Sequence, residues 1–195
     1  MSAIRTSFQE VEKAYNKVRG ELIRLEVLWR DSSLDRVPCL YRVPCLYEII
    51  PLEAFVKGWM GWWDSDGAIH FPSAYLPIPY LRGSKNSAVD VLRHEFGHAL
   101  ADRYPKALRD GDLFKKAFGG PYGDRPAKGT DPDDWEGRCV SRYAATATQE
   151  DFAETFMFFL KHKGKIPARF ANKPAIRKKW KAVAEIVRRV ASSPR

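Results

Sequence analysis

The chain has 195 residues, 45% hydrophobic and 29% charged, with a net charge of +9. That balance suits a globular protein with a real core, the aromatic share of 13% argues against extensive disorder, and no stretch approaches the ~20 apolar residues of a membrane helix. Three cysteines, Cys39, Cys45 and Cys139, with no C-x-x-C spacing, argue against a disulfide framework or a cysteine-based zinc site and fit reduced, partly buried thiols.

The first segment, MSAIRTSFQEVEKAYNKVRGEL, is charged and lacks the apolar centre and small-residue cleavage site of a secretory signal, so the expected location is cytoplasmic. Over 7–30, Phe8, Val11, Ala14, Tyr15, Val18, Leu22, Leu25 and Leu28 recur at spacings of three and four, which predicts an amphipathic helix. Ser7 and Glu10 stand where a capping box would. The hexapeptide RVPCLY then occurs twice, at 36–41 and 42–47, and its prolines keep either copy off a central sheet position. Residues 45–60 read as short extended or helical pieces. The stretch WWDSDGAIHFPSAYLPIPYL combines turn signals with a β run at Ala68–Phe71, and Gly67–Phe71 is a candidate edge strand.

Residues 87–104, SAVDVLRHEFGHALADRY, predict a helix with Ser87 or Ser84 as cap and Pro105 as stop. Within it lies HEFGH. Two histidines four apart share one helix face, so His94 and His98 can reach the same tetrahedral Zn²⁺. Glu95 lies within a turn of that ion and can take a proton from a zinc-bound water, the mechanism this spacing serves. A further protein ligand is needed. A histidine six residues after His98 would supply it in a metzincin, but that position is Tyr104. His70 and His162 have no partner motif and read as structural.

Residues 119–137 are rich in Gly, Pro and Asp and predict a long exposed loop, a candidate lid. Its DPDDWEG run does not fit an EF-hand. The next helix, 148–162, opens on Thr148 as expected N-cap and carries EDFAE. Glu150 and Glu154 share a face. Glu150 is the first candidate for the third ligand, which leaves Glu154 one turn on, able to orient a ligand imidazole through its other N–H. Asp151, about 100° around the helix, is the second candidate.

The tail, 161–195, holds twelve Lys/Arg against the single acid Glu185, while 1–160 carries 21 basic and 23 acidic residues. The whole charge excess sits in this tail. It reads first as an amphipathic helix over roughly 174–191, packing Ile176, Trp180, Val183, Ile186, Val187 and Val190 on the body, and second as a contact for an anionic partner, nucleic acid or acidic protein.

HEFGH followed about fifty residues later by EDFAE resembles the gluzincin class of metallopeptidases. In particular it is similar to a bacterial group of zinc-binding metallopeptidases and to the catalytic domain of anthrax lethal factor. The resemblance spans roughly 60–162. It implies Glu150 as zinc ligand and Glu154 as supporting acid. It also implies a phenol seven residues before the ligand, here Tyr143, facing the reacting carbonyl as oxyanion donor.

These readings add up to an α+β, zincin-like fold, with a small twisted sheet packed on the HEFGH helix and a second ligand-bearing helix. One domain covers 1–195: an N-terminal helix and strand-like segment over 1–50, a catalytic core over 60–162 and a basic helical tail over 163–195. The expected function is zinc-dependent hydrolysis of polypeptide substrates through a Glu-activated zinc-bound water. The alternatives are a catalytically silent zinc-binding interaction domain, or a nucleic-acid-associated regulator that uses the tail.

Overall fold

The computed structural model describes residues 4–5, 8–27, 46–50, 61–63, 68–72, 74–75, 87–108, 112–124 and 135–192. By contacts the chain divides into two compact units, Met1–Arg103 and Tyr104–Arg195.

The first unit is organised by helices α1 (Phe8–Arg24) and α2 (Ala88–Arg103). Val11, Ala14, Tyr15, Val18 and Leu22 form the buried face of α1, as their spacing predicts. That helix ends at Arg24 rather than near residue 30, because Glu26 turns to φ 58° and Val27 N–H returns to the Leu22 carbonyl. On α2 the buried apolar positions include Val91, Leu92, Phe96, Ala99, Leu100 and Ala101, and the rings of Tyr15 and Phe96 stand 6.1 Å apart. Ser87 closes the start of α2 with its carbonyl, which accepts from Asp90 and Val91, and Pro105 begins a separate turn, Pro105–Leu108 (α3). Ser7 and Ser84 lie outside the described residues, as does nearly all of the RVPCLY repeat.

A buried ionic clamp ties α1 to α2. Arg93 donates from Nε and Nη2 to both Glu21 oxygens at 2.8 and 2.6 Å, and from Nη1 to Asp90 at 2.7 Å. The fork is bidentate, and these side chains are 11% exposed or less. Asp90, Arg93 and His94 are close in sequence, so α1 braces the stretch of helix that opens the HEFGH motif. Glu21→Gln keeps the shape and removes the charge. It is expected to lower unfolding free energy by about 1.5–3 kcal/mol, read from the urea midpoint, since among the described residues Arg93 keeps Asp90 alone as counter-ion.

The expected α+β, zincin-like class is overturned: the part of the molecule that can be described in full is 73% helix. Among the described residues the strands are backbone segments of two to five residues, all in the first unit: Ile4–Arg5, Leu46–Ile50, Gly61–Trp63, Ala68–Pro72 and Ala74–Tyr75. Among the described residues the buried apolar side chains come almost wholly from helices and the turns next to them, with Ile69 the strand residue. The physical reason is that the strongest apolar patterns in the chain have a period near 3.6, and helices satisfy their burial on one another. The edge-strand reading of Gly67–Phe71 also falls. Ala68–His70 pairs on both sides, parallel with Leu46–Glu48 and antiparallel with Gly61–Trp63, so it offers no free edge there to an extended peptide.

The second unit is built on helix α5 (Thr148–Lys161), with α4 (Asp112–Phe118) and α7 (Pro174–Ala191) packed on it and a short turn α6 (Ala168–Ala171) between α5 and α7. Every residue of α5 from Asp151 to Leu160 is buried, which explains a helix apolar on nearly all sides. Phe114, Phe118, Tyr122, Phe152 and Phe156 form a chain of ring contacts with centroids 4.6–6.4 Å apart. The C-terminus of α5 is closed by Gly164, whose N–H reaches the Phe159 carbonyl at 2.8 Å and whose φ of 79° suits glycine. Trp180 Nε1 donates to the Gly164 carbonyl at 2.8 Å, fixing α7 to that corner. The apolar stripe of α7 is buried as its spacing predicts, from Ile176 to Val190. Among the described residues no helix is long and apolar enough to cross a membrane.

Candidate metal centre

The helical period of α2 turns both motif histidines the same way. Their Nε2 atoms stand 3.1 Å apart, with ring centroids at 4.9 Å and planes at 74°. His94 is buried and His98 half-buried, while Glu95, the next residue along the helix from His94, is also buried. Two imidazole nitrogens this close leave room for one shared proton or one shared cation.

The EDFAE residues open α5, where the positive end of the helix dipole favours acids. Each carboxylate has its own surroundings. Glu150 is half-buried and accepts from Gln149 Nε2 at 3.1 Å on Oε1. Asp151 is buried and pairs with Lys179 Nζ at 2.5 Å. Burial pushes the Asp151 carboxyl up to about 6, against the pull of the Lys179 ammonium and hydrogen bonds from its neighbours. Glu154, also buried, accepts from Ser141 Oγ at 2.6 Å.

His94, His98 and Glu150 each offer one ligand atom, and these atoms lie within 4.8 Å of one another. It is the single such group of three among the described residues, and Asp151 is not part of it. Bonds of ~2.0–2.1 Å in a tetrahedron set ligand atoms about 3.4 Å apart. The imidazole pair, at 3.1 Å, is already close to that spacing. Two neutral imidazoles and a carboxylate are a donor set that Zn²⁺ accepts readily, with one position left open.

Tyr143 opens a 3₁₀ turn, Tyr143–Thr146, immediately before α5 and is half-buried. Thr148 is not the N-cap. That position is Ala147, and the Thr148 hydroxyl donates instead to the Pro121 carbonyl at 2.6 Å. The start of the Gly-rich segment is therefore held against the helix rather than standing free: Gly120 is buried and the Asp124 carbonyl accepts from Thr148 N–H. Residues 125–134, which include most of the candidate lid and its clustered aspartates, lie outside the described residues. So does the side chain of His70. His162, at the far end of α5, lies parallel to the Phe158 ring with centroids 6.2 Å apart, a packing role.

Sequence reasoning missed three residues here: Gln149, Ser141 and Lys179. Two were without signal, since short polar side chains near a helix start have many uses. Lys179 did carry one. It falls three residues after Ile176 and four before Val183, on the apolar face of α7, where a cation requires a buried partner. Its ammonium also donates to the Arg138 carbonyl at 2.7 Å and lies 3.4 Å from Cys139 Sγ. Burial, reinforced by the Asp151 charge, pushes the Cys139 thiol up to about 11, so it is an inert buried thiol. Cys39 and Cys45 lie outside the described residues. The other cations of α7, including Arg177, Lys178, Lys181, Arg188 and Arg189, are exposed, and the last two pair with Glu185 at 2.8 Å.

Together these side chains define a candidate metal centre of the two-histidine, one-carboxylate kind. A family model described as "Putative zinc-binding metallo-peptidase" matches residues 82–185, more than half of the chain and all of these ligands, and the chain belongs to that family. No curated protein and no solved structure matches it.

Proposed function

We propose that the protein is an active zinc-dependent metallopeptidase of the gluzincin type, with His94, His98 and Glu150 as ligands. The observation that carries this reading is the approach of these three donor atoms to within 4.8 Å of one another, in a chain whose family is described as zinc-binding. Asp151, the rival ligand, is engaged by Lys179, which favours Glu150. Bound there, zinc supplies a Lewis acid and a water acidic enough to act as nucleophile near neutral pH.

The chain's own residues do the rest. Glu95 takes the proton of the attacking water and returns it to the leaving amine. Tyr143 donates its phenol proton to the carbonyl oxygen as charge develops there. Glu154 orients a ligand imidazole, and Gln149 steadies Glu150. The substrate is polypeptide and the location cytoplasmic. One catalytic domain covers 1–195, with 60–162 as its core.

Elemental analysis of the purified chain tests the ligand set. Wild type is expected to carry about one zinc per chain, the stoichiometry of a three-ligand catalytic site. Glu150→Ala is expected to lose it and Asp151→Asn to keep it. Zinc retained in Glu150→Ala at wild-type affinity removes Glu150 from the site.

A further inference from the structure

One hydroxyl links Glu154 to the turn that carries Tyr143. Ser141 Oγ donates to Glu154 Oε2 at 2.6 Å and accepts from the backbone N–H of Ala144 at 3.1 Å. The first bond is short and charge-assisted, to a carboxylate only 3% exposed. The second caps the 3₁₀ turn Tyr143–Thr146, whose N-cap position, Arg142, makes no side-chain cap bond. From the other end of the turn, Thr146 Oγ1 donates to the Tyr143 carbonyl at 2.7 Å. The turn packs closely on α5, and Ala144 within it is buried. A serine hydroxyl has one proton and two lone pairs, and here it uses the proton on α5 and a lone pair on the turn.

We propose that Ser141 is a positioning residue that fixes the Tyr143 turn to the Glu154 carboxylate, so that the phenol and the supporting acid keep their places together. This rests on the peptidase reading above. Without the hydroxyl, Glu154 loses a donor in a buried setting and Ala144 N–H loses its cap, so both groups drift at once. Ser141 itself touches neither metal nor substrate in this scheme.

The test uses the full-length chain as wild type, Ser141→Ala, Ser141→Thr, Tyr143→Phe and the Ser141→Ala/Tyr143→Phe double variant. Zinc affinity is read by competition with a chelating dye, and kcat and KM on a quenched peptide. Ser141→Ala is expected to weaken zinc binding about 10-fold, the lower end for losing a group that supports a ligand. Its kcat is expected to fall by about 10-fold with KM nearly unchanged, because what is lost acts only as charge develops. Ser141→Thr, which keeps the hydroxyl at a half-buried position, is expected to stay within about 3-fold of wild type in both. In the Tyr143→Phe background, Ser141→Ala is expected to cost little further kcat, because the two act as a unit.

The inference is overturned if Ser141→Ala keeps wild-type zinc affinity and kcat, even with a lower melting temperature, or if Ser141→Thr is no better than Ser141→Ala. Multiplicative kcat losses in the double variant overturn it as well. A wild type that binds zinc without cleaving anything sinks the peptidase reading alone, and the zinc measurements then decide Ser141. A wild type that binds no zinc sinks both.

Discussion

Glu95→Gln is expected to hold zinc at the wild-type stoichiometry and to lose hydrolysis by about 10²–10⁴-fold, the range a positioned general base contributes. Glutamine matches glutamate in size and fits the same buried position next to His94, so α2 and the imidazole pair keep their geometry. What disappears is the carboxylate that, in the proposed mechanism, accepts a proton and gives it back. The comparison that gives the result its meaning is His94→Ala, which is expected to lose zinc and activity together. Turnover of an unfolded protein substrate, read beside the zinc content of the same samples, checks both. Near-wild-type cleavage by Glu95→Gln would falsify the assignment of Glu95 as base, whatever the metal does.

Lys179→Met is expected to lower unfolding free energy by about 3–5 kcal/mol, the cost of removing one partner from a buried ion pair. Lys179 and Asp151 are 7% and 4% exposed, so water does not replace the lost ammonium. The Arg138 carbonyl loses a donor in the same change. Asp151, already pushed up by burial, loses the cation that opposes the shift and is driven towards its neutral form. Adding Asp151→Leu to Lys179→Met is expected to recover much of the loss, because an apolar pair of similar size needs no desolvated charges. Lys181→Met, on the exposed face of the same helix, is expected to stay within about 0.5 kcal/mol of wild type. Urea midpoints measured in chelator remove any contribution from zinc binding. Equal effects at 179 and 181 would mean that the pair contributes nothing.

The contrast between these two lysines shows where sequence reading stops. The tail's charge excess was legible at once, and so was the apolar stripe of α7 that anchors it. That one of its lysines points inward to the residue next to Glu150 was not read, although its place on the apolar stripe hinted at it. A charge run reads as solvated unless its register against the apolar positions is followed residue by residue. The middle of the chain misled in the opposite direction. Its aromatic, Gly- and Pro-punctuated stretch suggested a sheet as the framework, whereas the described core is helical and the strands are short. Short apolar runs carry no period long enough to set fold class.

By itself the sequence determined what repeats locally. A spacing of four on a helix put His94 beside His98, and Glu150 on one face with Glu154, because backbone geometry fixes which side chains share a face. The tertiary structure alone decided which acid stands within 4.8 Å of the histidines, which acid is tied up by Lys179, and which serine holds Glu154. Those choices depend on contacts between residues far apart in the chain, and the period of one helix holds no information about the side chains that another helix brings to it.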